Sequence, residues 1–301
     1  MLNAQSPTLA IDIGGTKIAV GLVDTDGSIV RSVITPTLAH PDPQRLWAGV
    51  RAAVDEVLSD AASVAGVGIS SAGPIDVPAG TISPLNIAAW RDFPVVEEVR
   101  ALVPGVPVLL AGDAVCVALG EHWVGAGQGA RFLLGMVVST GIGGGLVFDG
   151  VPYSGRTGNA GHIGHVVVDL DGPPCNCGGR GCAEAIASGP KLVAWARTHG
   201  WTGSDGKELA QAALAGNDVA VQAFRRGGRA IAAMIASVAA VCDLDRVVIG
   251  GGLAQSGPVL FDPLRAALAD YLGLSFIRGL QVVAAQLGSS AGLVGAAALS
   301  R

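Results

Sequence analysis

Apolar residues along the chain fall into short blocks punctuated by glycine and proline, and the period inside the blocks alternates between two and about 3.6. TLAIDI, KIAVGLVD and SIVRSVIT form three consecutive strand-like blocks. A tight GGT turn joins the first pair, and the hairpin signal Asp26-Gly27 joins the second, so an antiparallel meander is expected over residues 8–35. A helix is expected over 43–62. It is followed by the strand VAGVGIS, a loop with Pro74, Pro78 and Pro84, the buried strand PVLLA and a helix from Asp113. The same logic then restarts: RFLLGMVVS, a turn through TGIGGG and a return along LVFDG repeat the pattern of residues 8–24. Helices over 191–198, 206–215 and 219–242, the strand RVVIGGGLA, a helix over 258–272, a strand over 281–285 and a helix over 289–300 complete the second half. The expectation is α/β, with two related lobes over 1–112 and 113–301 and the last helix, about 289–301, packing back on the first.

Composition narrows the function classes. A chain of 301 residues, 50% hydrophobic and 14% charged, is long and apolar enough for two ordinary cores. Nineteen Lys and Arg face 24 Asp and Glu, and a net charge of -5 offers no basic footprint for nucleic acid or an anionic membrane surface. The uncharged run between Arg278 and Arg301 is long enough to span a bilayer, but Gln281, Gln286, Ser289, Ser290 and its glycines favour a buried strand and helix. MLNAQSPTLAIDIGG carries no basic segment followed by a long apolar one, so a cytoplasmic protein is expected, with no membrane partner.

Candidate chemistry lies where the glycines cluster. Asp12, Gly14, Gly15, Thr16 and Lys17 place a carboxylate at a strand end before a turn whose backbone N–H groups can meet phosphate oxygens, with Asp12 able to hold Mg²⁺ or its water. A plain hairpin is the alternative, since glycine is also what a tight turn requires. Thr140, Gly141 and Gly143 repeat the arrangement, and the pairing strengthens a polyphosphate reading. Gly250, Gly251 and Gly252 end a strand and could admit a nucleoside or simply turn. GAGQGA at 125–130 matches a dinucleotide fingerprint but follows a helical segment, which excludes that reading. His165, Cys175, Cys177 and Cys182, connected through Pro and Gly, offer one imidazole and three thiolates, a closed tetrahedral set for structural Zn²⁺. Cys116 and Cys242 read as core residues. Trp47, Trp123 and Trp195 read as packing residues, with Trp90 either packing or walling a pocket.

DIGGTK, STGIGGG, AGHIGH, CNCGGRGCAEAIASG and VVIGGGL resemble the ROK family of bacterial sugar kinases and sugar-responsive repressors along essentially the whole chain. The resemblance implies a two-lobed actin-like, ribonuclease H-like fold with ATP and sugar between the lobes. A first strand near Thr8 leaves no room for the repressors' helix-turn-helix, so the kinase branch is expected. By resemblance, Asp113 is the base that takes the proton of a sugar hydroxyl, usually O6 of a hexose; read alone, it could equally cap its helix. Gly73, Asn86, His162, His165 and Glu184 join Asp113 at the sugar; ATP, Mg²⁺ and structural Zn²⁺ complete the site; and a homodimer is implied. Two positions depart from the glucokinase pattern: Gly112 stands for an Asn and His162 for a Glu. AGHIGH is similar to the N-acetylmannosamine kinases, which makes N-acetylmannosamine the expected sugar, with glucose, or regulation without turnover, as the alternatives.

Overall fold

The computed structural model describes residues 6–59, 61 and 63–301. The start of the N-terminal stretch and the end of the helix expected over 43–62 include residues outside the described ones. Along the chain run β1 (Thr8–Ile13), β2 (Lys17–Val23), β3 (Ile29–Pro36), α1 (Pro43–Leu58), β4 (Val67–Ser71), β5 (Ile75–Asp76), β6 (Thr81–Ile82), α2 (Val95–Leu102), β7 (Val108–Gly112) and α3 (Asp113–Val124). Next come β8 (Phe132–Val138), β9 (Ile142–Phe148), β10 (Val151–Pro152), α4 (Ala183–Ala187), α5 (Gly189–Thr198), α6 (Gly206–Leu214) and α7 (Asp218–Cys242). The chain ends with β11 (Arg246–Gly250), α8 (Pro258–Tyr271), β12 (Gln281–Ala284) and α9 (Ala291–Ala298). Among the described residues no helix is long and apolar enough to cross a membrane.

Two five-stranded sheets organise these elements, in the orders β3-β2-β1-β4-β7 and β10-β9-β8-β11-β12. In the first, β1 pairs antiparallel with β2 and parallel with β4, so a hairpin edge is joined to a parallel centre. In the second, β9 and β10 are antiparallel while β11 lies parallel to both β8 and β12. The repeat expected from the glycine turns is therefore present in both sheets.

The chain divides into two compact units, 1–128 with 145–160 and 287–301, and 129–144 with 161–286. This corrects the boundary expected at 112/113. Helix α3 stays with the first unit because glycines let α9 reach it: a β-carbon at Gly295 would overlap the Cys116 carbonyl, and one at Gly120 would lie 2.7 Å from the Ala291 carbonyl. Helix α9 also packs on β1 and β4.

The first core fills the space between this sheet and α1. Leu9, Ile11 and Ile13 point into it from β1, and Trp47, Val50, Val54 and Val57 from one stripe of α1. Asp42 caps α1 by accepting the Gln44 N–H, and Pro43 takes the first turn, where no N–H is needed. Trp90 is fully buried, stacks on Phe93 at 4.6 Å between ring centres and donates its indole N–H to the Pro43 carbonyl. It is a core residue that also lines a small apolar cavity of about 210 Å³ with Ile18, Leu46 and Ile87. Cys116 is fully buried, as expected of a core thiol.

Four features differ from the expected elements. The sequence pattern missed α2, the short β5–β6 hairpin and the one-turn α4. The second glycine run is also less of a turn than expected, because β9 begins at Ile142 and takes Gly143, Gly144 and Gly145 into the strand. Their missing side chains serve packing: a β-carbon at Gly144 would lie 2.8 Å from Ile163, and one at Gly145 would lie 2.5 Å from Val115.

Candidate functional site

In the first unit the β1–β2 turn carries Asp12, Gly14, Gly15, Thr16 and Lys17. The Gly14 N–H donates to the Lys17 carbonyl at 3.0 Å, and Thr37 pins the turn from behind, its hydroxyl on the Gly14 carbonyl and its N–H on the Thr16 carbonyl. Thr16 and Lys17 remain exposed. A β-carbon at Gly15 would overlap the Asn86 side-chain amide, so glycine there is what lets the loop asparagine lie against the turn.

Asp12 accepts the Ser70 hydroxyl at 2.6 Å. Burial pushes its carboxyl above the ordinary range, while the Ser70 bond and the Lys17 charge pull it back. Gly292 on α9 leaves space for this carboxylate, since a β-carbon there would lie 2.5 Å from Asp12 Oδ2. Burial first, then the charges of Asp12 and Asp113, hold the Cys116 thiol strongly protonated.

Asp113 is the first residue of α3, exposed, with Oδ1 accepting the Ala114 N–H at 2.7 Å. The N-cap position belongs to Gly112, which makes no side-chain cap bond. Nothing fills the place of the missing Gly112 side chain: the nearest atom to a β-carbon there is Ile75 Cδ1 at 4.0 Å. Gly73 lies in the loop just after β4, next to Ala72, whose N–H bonds the Ile13 carbonyl at 3.0 Å.

The second unit gathers the other expected residues around the 139–144 segment. The Ser139 N–H donates to the Gly141 carbonyl at 2.9 Å, and the Gly189 N–H to the Ser139 carbonyl at 2.8 Å. Glu184 Oε2 accepts the Ile142 N–H at 2.8 Å, and a β-carbon at Gly141 would lie 2.7 Å from the same oxygen. Gly164, between His162 and His165, packs so closely on the Ile142 carbonyl that a side chain would overlap it. The two imidazoles are roughly parallel, 6.3 Å apart, with His162 exposed.

His165, Cys175, Cys177 and Cys182 place one donor atom each within 4.8 Å of one another. A tetrahedral ion with Zn–S bonds of about 2.3 Å holds its sulfurs about 3.8 Å apart. Cys177 Sγ and Cys182 Sγ are 3.8 Å apart, and Cys175 Sγ is 3.7 Å from His165 Nδ1, so these two pairs already have the spacing that such an ion sets.

Gly251 and Gly252 follow β11. Gly251, at φ +93°, packs against the Val138 backbone, and Gly252 faces Ser139. Beside Thr140 and Gly252 opens a cavity of about 790 Å³, whose further wall comes from Pro190, Lys207, Gln211 and Gln255. Sequence reasoning missed these four. The available signals were Asp205, which caps α6 by accepting the Lys207 and Glu208 N–H groups, and the polar tail of GGLAQSG after the glycine strand.

Comparison with known proteins decides the family. The model of the ROK family matches residues 8–301. The chain belongs to the ROK family. It is 37% identical to a glucokinase of Thermotoga maritima, covering 97% of this chain and 96% of that one. It is 38% identical to an N-acetylmannosamine kinase of Citrobacter koseri, covering 98% of each. A ROK glucokinase of Streptomyces griseus, solved with glucose and AMPPNP, superimposes with a TM-score of 0.79 at 36% identity, over 97% of this chain and 98% of that one. The two sheets are those of the two-lobed actin-like fold expected for a ROK protein.

Proposed function

We propose that this ROK-family sugar kinase transfers the γ-phosphoryl group of ATP to O6 of a hexose or N-acetylhexosamine, N-acetylmannosamine foremost. The observation that carries the transfer is Asp113. It stands exposed at the head of α3, one residue after the N-cap position held by Gly112, with one carboxylate oxygen on the Ala114 N–H.

In this reading Asp113 accepts the proton of the sugar hydroxyl as that oxygen attacks phosphorus, and ADP leaves with the bridging oxygen. Within Gly14 to Lys17 and Thr140 to Gly143, the N–H groups of Gly15 and Thr16 and of Thr140 and Gly141 face the phosphates, those of Gly14 and Ile142 being used inside the protein, and the cavity beside Gly252 takes the nucleoside. Asp12 would hold Mg²⁺ or its water, and the ion would supply charge neutralisation on the phosphates; a carboxylate raised by burial is a group that a nearby dication relieves. His165, Cys175, Cys177 and Cys182 would hold Zn²⁺ as a structural ion, ordering the loop that bears His162 and Glu184. Gly73, Asn86, His162, His165 and Glu184 contact the sugar.

The choice of N-acetylmannosamine rests on His162 and Gly112. A neutral imidazole offers one donor and one acceptor, matching the carbonyl and N–H of an acetamido group, where a glutamate would only accept. Glucose is the second reading, favoured by identities of 36–37% to glucokinases. ADP release measured with N-acetylmannosamine, N-acetylglucosamine, mannose and glucose tests both. A highest kcat/KM on glucose removes the first, and no ADP release with any hexose removes the kinase reading.

A further inference from the structure

Glu184 enters the functional reading as a sugar contact, yet in the structure one of its oxygens is already engaged elsewhere. It lies two residues beyond Cys182, in the first turn of α4, half-buried, and its Oε2 accepts the Ile142 N–H at 2.8 Å. Ile142 is where the second glycine segment enters β9. Seven residues after Cys182, the Gly189 N–H holds the Ser139 carbonyl at 2.8 Å. Two bonds from one short stretch, 184–189, therefore fix both ends of residues 139–142. Gly141 completes the fit, since any side chain there would press on Glu184 Oε2. Glu184 Oε1 makes no hydrogen bond to the described residues.

A backbone N–H left to itself beside a phosphate-facing turn is free to rotate the peptide. The Glu184 carboxyl oxygen fixes that peptide plane from its N–H end, as the Ser139 N–H does from the Gly141 carbonyl end, and through it the neighbouring N–H of Gly141. We propose that Glu184 is a positioning residue for the nucleotide: through the Ile142 N–H it sets the orientation of the Thr140–Gly141 segment toward the phosphates, while Oε1 remains for the sugar. One carboxylate thus serves both substrates. This rests on the nucleotide reading of that turn given above.

The test is calorimetric binding of Mg²⁺-AMPPNP with no sugar present, to the wild-type chain, Glu184→Ala and Glu184→Gln. A residue that touches only sugar leaves this affinity unchanged. Positioning predicts a loss on the order of tenfold for Glu184→Ala, the scale of one charge-assisted hydrogen bond, with Glu184→Gln recovering most of it through its amide oxygen. The KM for ATP rises in parallel with no change in melting temperature. Gly141→Ala tests the same bond from the other side, because its methyl displaces the flexible carboxylate without removing it; it decides the matter if Glu184→Ala does not fold. Wild-type-like affinity in Glu184→Ala, or in Gly141→Ala where that variant must decide, overturns the proposal. A wild-type chain that fails to bind the nucleotide overturns the functional reading instead.

Discussion

Glu121 and Leu287 are joined across 166 residues by a single bond, the Leu287 N–H donating to Glu121 Oε1 at 2.8 Å. The other carboxylate oxygen accepts the Ala126 N–H at 2.9 Å, and Glu121 is fully buried. One carboxyl side chain thus satisfies two backbone donors, one just past α3 and one at the approach to α9. Glu121→Ala strands both donors, so it should cost about 3 kcal/mol or more of unfolding free energy, and Glu121→Gln roughly half as much. Urea titration followed by far-UV circular dichroism measures this. A loss below about 1 kcal/mol for the alanine variant contradicts the account.

Asp12 should trade stability for turnover. Burial raises its carboxyl above the ordinary 3.8, so between that value and its raised value the folded chain holds a proton that the unfolded chain has lost. The linkage makes stability fall as pH rises through this window, and above it the buried charge is a standing cost. Asp12→Asn keeps an oxygen for Ser70 and removes the charge. The ligand-free variant should melt about 2 °C or more higher at pH 7, with the gap closing as the pH approaches 4, and should lose turnover. Scanning calorimetry at both pH values checks the sign.

Asp113→Asn should fold normally and bind AMPPNP as the wild type does, while kcat falls by a factor on the order of 10² or more. The Ala114 N–H keeps its acceptor in the amide oxygen, so the loss reports proton transfer rather than helix stability. Steady-state kinetics with the preferred sugar decide it.

Specificity should respond at two positions. The opening at Gly112 leaves its nearest neighbour 4.0 Å from a β-carbon, so Gly112→Asn fits without displacing Ile75. Gly112→Asn and His162→Glu should each shift the ratio of kcat/KM from N-acetylmannosamine toward glucose by about 1–3 kcal/mol, one polar contact each. A ratio that neither substitution moves removes both residues as selectors.

Metal analysis of purified protein should find one zinc per chain, and Cys177→Ser should lower it. The exposed Arg180 lies inside the loop, bridged to Pro174. Trypsin should cut after Arg180 in the variant or the chelated protein far faster than in the zinc-loaded chain. Equal cleavage rates speak against a structural ion.

Most elements were legible because their signals are local: alternation in β1 to β3, Asp42 and Pro43 at the start of α1, and Cys and Gly spacing in the loop that gathers His165, Cys175, Cys177 and Cys182. Helix α2 escaped because VVEEVRAL is short, β-branched and headed by a proline that makes no cap bond. The run at 143–145 read as turn because glycine signals a bend locally, whereas here it makes room for Val115 and Ile163, partners that only the fold supplies. The cavity proposed for the nucleoside was hidden for the same reason: its wall joins residues from 139 to 256, and none of Pro190, Lys207 or Gln211 carries a mark of its own. Trp90 could pack or wall a pocket on sequence alone; stacking on Phe93 takes it into the core, where it also lines the small apolar cavity.

Helix α9 carries a consequence for biosynthesis. The sheet of the first unit is complete by Gly112, but the helix that packs on β1 and β4 is drawn from residues 291–298. On a ribosome, the earliest strands must therefore wait, partly uncovered, until nearly the whole chain has been translated, while residues 129–286 already contain everything the second unit uses. Nascent chains stalled before residue 291 should hold a protected second unit and an exposed first one. That interval is when a chaperone has most to shield.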